Sequence, residues 1–96
     1  MSTDLFASAW GPVAREILER WWGDEAVVFD TYSGATHYLD GLTTAIWSTL
    51  RKDGPATISE LRARLAEQHH VPLDNDTIPL VIGELVELKL VERREF

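Results

Sequence analysis

The chain has 96 residues, 45% of them hydrophobic, and 16 acidic against 9 basic side chains give a formal net charge of −7. That length fits one domain with a single core and not a cleft between two lobes, and the acidity argues against binding nucleic acid or an anionic membrane through bulk electrostatics. Absence of cysteine excludes disulfides, thiolate metal sites and thiol catalysis, and with neither the basic start and apolar run of an export signal nor about 18 consecutive apolar residues anywhere, a cytoplasmic location is expected.

Residues 1–14 mix Leu5, Phe6, Trp10 and Val13 with small and polar residues, and Gly11 with Pro12 interrupts any regular pattern. A partly ordered N-terminal arm is expected there, ahead of a single domain over 15–96. Arg15 to Trp22 fits a helical face or an alternating strand, and the strand is the reading adopted. Gly23 and Asp24 then supply a turn into a strand over Glu25 to Asp30, and Ser33 with Gly34 supplies the next. Thr36 to Leu39 returns to β-favouring residues, completing three short antiparallel strands.

Asp40 stands as a helix cap whose carboxylate can accept from the first-turn amides, and Leu42, Ile46 and Leu50 follow on one helical face. This first helix, about Gly41 to Lys52, is expected to stop at Asp53, Gly54 and Pro55. Thr57 and Glu60 have capping-box spacing, and Ile58, Leu61 and Leu65 form the stripe of a second helix running to about Gln68. Pro72 closes the connection. Asp74, Asn75 and Asp76 precede a third helix with Ile78, Val81, Ile82 and Leu85 at i, i+3, i+4 and i+7, and Pro79 near its start. Leu90 to Phe96 reads as a short extension or strand. The expected fold is α+β and winged helix-turn-helix-like: an N-terminal three-stranded antiparallel sheet followed by a three-helix bundle.

No catalytic or cofactor motif is present: there is no P-loop, no GxGxxG and no HExxH. His69 and His70 point about 100° apart on a helix and lack a third ligand at a characteristic spacing, so they read as a solvated helix end. His37, alone beside Tyr38 on a strand, has no serine and acid partner assigned by spacing. The 16 carboxylates are spread along the chain, and pairs such as Asp74 with Asp76 read as helix-start residues favoured by the dipole. No metal, cofactor or enzymatic activity is expected. Trp47 abuts the apolar stripe of its helix and reads as core, whereas Trp21 and Trp22 cannot both face inward on a strand, so one is a candidate for a partner surface or for packing under the N-terminal arm.

The run VVFDTYSGATHYLD, then AIWSTL, then DGPATISELRARLAE, resembles the PqqD-like family, small proteins similar to the RiPP recognition element of peptide-modifying systems. The family's strand-ending Leu-Asn pair reads Leu39-Asp40 here, its helix Ala and Trp or Leu read Ala45 and Trp47, and its Asp-Gly pair and Thr-initiated helix read Asp53-Gly54 and Thr57. The resemblance covers about Glu25 to Val91. It departs at Asp40, usually Asn, and at Lys89, where the family often has Gly. The SGATHYL wording and tryptophan-rich start are closer to the subgroup found beside HPr kinase-related proteins than to the PqqD of quinone cofactor synthesis.

What the resemblance implies is a non-catalytic chaperone or adaptor that holds the leader of a precursor peptide and presents the remainder to a modifying enzyme. The leader would dock antiparallel to the third strand and against the third helix. Ala35, Thr36, His37, Tyr38 and Leu39 would line an edge open to β-augmentation, and Ile78, Val81, Ile82, Leu85 and Val86 would supply the facing wall, or be core. A winged-helix DNA-binding regulator is the rival reading, but Asp74 to Leu88 carries Asp74, Asp76, Glu84 and Glu87 and no Lys or Arg, the wrong charge for phosphates and base edges. Arg51, Lys52, Arg62 and Arg64 read as solvated faces. A structural or dimerising subunit is the third reading, either monomeric or a strand-exchanged homodimer.

Overall fold

The computed structural model describes residues 8–69 and 77–94. In chain order these form β1 (Ala9–Pro12), β2 (Ile17–Trp22), β3 (Glu25–Asp30), β4 (Thr36–Leu39), α1 (Gly41–Asp53), β5 (Ala56–Thr57), α2 (Ile58–His69), α3 (Thr77–Glu87) and β6 (Val91–Arg94). The fold is α+β, with the expected antiparallel sheet, ordered β2-β3-β4, followed by three helices. Pro72, Asp74, Asn75, Asp76, His70, Leu5, Phe6 and Phe96 lie outside the described residues.

A second three-stranded sheet, β5-β1-β6, departs from the simple sheet-then-bundle order. Its central strand, β1, falls inside the stretch expected to be a partly ordered arm. Gly11 does not break this strand. A Cβ there would stand 2.8 Å from Pro55 Cγ, so the missing side chain permits close approach to the α1–β5 connection. Pro12 sits where β1 pairs with β6 alone, beyond the end of β5, a position that tolerates a missing N–H. Both partners of β1 come from distant sequence, which local pattern cannot reveal.

The core lies around α1. Ile46, Trp47 and Leu50 meet Ile17, Val28 and Leu39 from the sheet, Leu61 and Leu65 from α2, and Ile78, Ile82 and Leu85 from α3, all essentially without solvent exposure. The α2 start is the reciprocal capping box its spacing predicts: Thr57 N–H donates to Glu60 Oε1 at 2.9 Å, and Glu60 N–H to Thr57 Oγ1 at 3.2 Å. Gly54, at φ 88, ends α1 by donating its N–H to the Leu50 carbonyl at 2.9 Å.

Asp40 occupies the N-cap position of α1, but its carboxylate makes no capping hydrogen bond. Gly41, the next residue, has φ 53, so the chain enters the helix through a left-handed residue and the first-turn amides are not aligned on the Asp40 side chain. The junction therefore depends on Gly41. Gly41→Ala should cost about 1 kcal/mol or more, from the left-handed penalty of a Cβ, while Asp40→Ala should stay within about 0.5 kcal/mol. Urea titration of the two variants checks this ordering.

α3 ends in a Schellman motif. Leu90 N–H donates to the Leu85 carbonyl at 3.0 Å and Lys89 N–H to that of Val86 at 2.9 Å, with Leu85 and Leu90 both fully buried. The left-handed residue this motif needs is Lys89, at φ 63, the position where the resembled family often carries Gly. Lys89→Gly should stabilise the fold by about 0.5–1 kcal/mol, because relief of the left-handed strain exceeds the added chain entropy. Thermal denaturation should register a rise of a few degrees for a domain of this size.

Candidate functional site

The pattern of hydrogen bonds fixes which groups of β4 face outward. Asp30 N–H donates to the Ala35 carbonyl at 2.9 Å, so these two residues oppose each other at a hydrogen-bonded position of the antiparallel ladder. The register continues as Phe29 with Thr36, Val28 with His37, Val27 with Tyr38 and Ala26 with Leu39. Alternation then directs the backbone groups of His37 and Leu39 toward β3, and those of Thr36 and Tyr38 away from it. β4 is an edge strand, and among the described residues nothing hydrogen-bonds the outward N–H and C=O of Thr36 or Tyr38.

At the opposite edge of the same sheet, α1 engages one end of β2. Arg51 of α1 donates to the Ile17 carbonyl of β2 at 3.4 Å and to Glu19 Oε1 at 2.7 Å, while Trp47 Nε1 donates to Glu19 Oε2 at 3.2 Å. Arg51 is therefore a tether between α1 and the sheet, and not a solvated cation as its position on the helix suggested. The β6 edge carries Glu92, Arg93 and Arg94, charges of the kind that discourage strand addition. Among the described residues, β4 therefore leaves its outward backbone groups unpaired, whereas β2 has its Ile17 carbonyl engaged by Arg51.

Side chains alternate about this strand. Leu39 points inward and is buried, His37 shares that face and is half-buried, while Thr36 and Tyr38 point outward and are exposed. Ala35, half-buried, precedes the strand and its N–H donates to Ser33 Oγ at 3.2 Å. On α3, Ile78, Val81, Ile82 and Leu85 are all buried in the core and present no wall to a ligand. A helix meeting α1, α2 and β6 together requires a wider apolar stripe than one packed against a single neighbour, which accounts for the excess apolar positions. Val86 alone of the five is exposed, and Leu80, which falls off that stripe, is 69% exposed and was not among the expected residues.

The turn leading to β4 is held by an ion pair. Asp30, 2% exposed, accepts from Arg15 Nε at 3.1 Å and Nη2 at 2.8 Å, and from the Tyr32 amide at 2.9 Å. Arg15 also donates to the Lys89 carbonyl at 2.8 Å and lies 5.7 Å from the Tyr32 ring centroid, so one guanidinium joins the β3–β4 turn to the end of α3. The Arg15 hydrogen bonds, with the Tyr32 amide assisting, outweigh burial and hold the Asp30 carboxyl at about 2. A carboxyl pKa lowered by folding stabilises the protein above its ordinary value and loses that contribution as pH falls toward the folded one. Thermal melts should show this loss between about pH 4 and pH 2, and an Asp30→Asn variant, less stable at pH 6, should lack that part of the slope.

Trp21 and Trp22, 42% and 52% exposed, lie on opposite faces of β2. Among the described residues no three His, Asp or Glu side chains gather as metal ligands, and no helix is long and apolar enough to cross a membrane. Comparison with models of known families, with curated proteins and with solved structures found no match.

Proposed function

We propose that this chain is a non-catalytic peptide-binding adaptor of winged helix-turn-helix-like, PqqD-like architecture. It takes an extended leader segment as an added strand along β4 and presents the remainder of that peptide to a modifying enzyme. The open β4 edge carries this reading: Thr36 and Tyr38 offer two donors and two acceptors to an incoming strand, while at the opposite edge Arg51 of α1 engages the Ile17 carbonyl of β2. A ladder of backbone bonds supplies affinity and side chains beside it supply selectivity. Exposed Tyr38 is placed to discriminate residues of the added strand, and Val86 and Leu80 are the large apolar side chains of α3 that stand exposed.

Ordering a flexible peptide offsets much of the contact energy, so a dissociation constant on the order of micromolar is expected. The DNA-binding reading is disfavoured because α3 carries Glu84 and Glu87 without a basic residue. The test is an NMR titration of the isotope-labelled protein with leader segments of precursor peptides encoded beside it. Shifts confined to Ala35–Leu39 and the exposed face of α3 support the proposal. An unchanged β4 with every such peptide overturns it.

A further inference from the structure

Among the described residues, nothing covers the face of the β2-β3-β4 sheet that points away from the helices. The registers place Leu18, Phe29 and Thr36 on one level, Arg20, Val27 and Tyr38 on the next, and Trp22 with Glu25 on the third. Exposures are 51% for Leu18, 52% for Trp22, 37% for Phe29 and 59% for Tyr38. With aromatic side chains of 150–250 Å² each, these four leave roughly 400 Å² of apolar surface bare, the scale at which monomer patches are often functional. Arg20 stands within this face, and among the described residues it has no ion pair or hydrogen bond. At the other side of its level, the Tyr38 hydroxyl donates to Glu25 Oε1.

We infer that this face is the contact between two copies of the chain, packed sheet on sheet about a two-fold axis that runs along β3. Rotation about such an axis preserves the level of each residue and exchanges left for right, so β2 of one copy lies over β4 of the other. Arg20 of each copy then lies on its partner's Tyr38 ring and Glu25 carboxylate, forming two equivalent cation contacts, and Val27 meets Val27 on the axis. The same rotation brings the protruding Tyr38 to a depression of about 260 Å³ bordered by Leu18, Arg20, Trp22, Val27 and Phe29. Charge, shape and apolar area thus match under one operator.

Leu18, Trp22, Phe29 and Tyr38, with the exposed Arg20 and Thr36 beside them, present roughly 500–600 Å² per copy, the low end of specific interfaces, and a net charge of −7 on each chain opposes association. A dissociation constant on the order of 10–100 µM is therefore expected. The contact uses side chains on the sheet face, whereas the affinity of the peptide edge rests on backbone groups of β4 in the sheet plane; Tyr38 is shared by both, and the substitutions at Arg20 and Glu25 leave the β4 backbone edge in place, so the two proposals are tested separately.

Sedimentation velocity from about 5 µM to about 1 mM in moderate salt should show a monomer–dimer equilibrium. Arg20→Glu and Glu25→Arg should each weaken the dimer at least about tenfold, and the double exchange Arg20→Glu/Glu25→Arg should restore it. Both positions are on the surface, so circular dichroism should match the parent. Isotope-filtered NOEs between Val27 methyls in a mixed labelled and unlabelled sample test the axis without any variant. A monomer throughout the concentration range, a dimer indifferent to Arg20→Glu as strand exchange would give, an unrestored double exchange, or absence of the Val27 NOE in a confirmed dimer each overturns the proposal.

Discussion

Thr36→Pro is expected to weaken leader-peptide binding by more than about tenfold while leaving the free protein folded. The Thr36 N–H points away from β3, so proline removes a donor that the folded chain does not use and places its ring where an added strand would lie. One lost amide bond accounts for about 0.5–1.5 kcal/mol, and displacement of the incoming carbonyl takes the total past the 1.4 kcal/mol of a tenfold change. His37→Pro is the control, since the His37 N–H points toward β3 and its loss should lower stability instead. Isothermal titration with the same peptide, alongside thermal melts, separates the two. Parent-like affinity in Thr36→Pro would remove β4 as the docking edge.

Trp47→Ala should be the most damaging single substitution for stability, costing about 3–5 kcal/mol. The side chain is fully buried where the sheet meets α1, its indole N–H donates to Glu19 and Arg51 lies 5.5 Å from its ring, so one residue serves the core and the α1–β2 contact together. Against a typical total of roughly 5–15 kcal/mol, that loss leaves little margin. Trp47→Phe keeps most of the apolar contact and loses the hydrogen bond, so about 1–2 kcal/mol is expected. Urea titration would show both as displaced midpoints at nearly constant slope. A Trp47→Ala cost below about 1.5 kcal/mol would contradict the packing described.

Local chemistry explains which features were legible in advance. Alternation placed β2, β3 and β4, the Thr57–Glu60 box started α2, and Gly54 stopped α1, because each depends on neighbours within four residues or on a two-residue period. Asp40 misled for a related reason: cap preference describes a helix entered normally, and Gly41 enters this one with a left-handed residue. On α3 the apolar spacing marked the buried stripe correctly but could not separate core from docking wall, because that division depends on the neighbours of the helix. Leu80 was readable as an apolar residue off the stripe; its exposure signals a surface only once the faces are assigned.

The candidate site divides in the same way. Sequence by itself determined β2, β3, the strand over Thr36–Leu39, the three helices and the acidic character of the third, unsuited to phosphates, since charge and short-range periodicity are written locally. Tertiary structure alone decided that β1 is the centre of a second sheet, that Arg51 ties α1 to β2 while β4 is the other edge of that sheet, and that the exposed Leu18, Trp22, Phe29 and Tyr38 share one face. Edges and faces are properties of pairing between distant segments, and no window of neighbouring residues contains them.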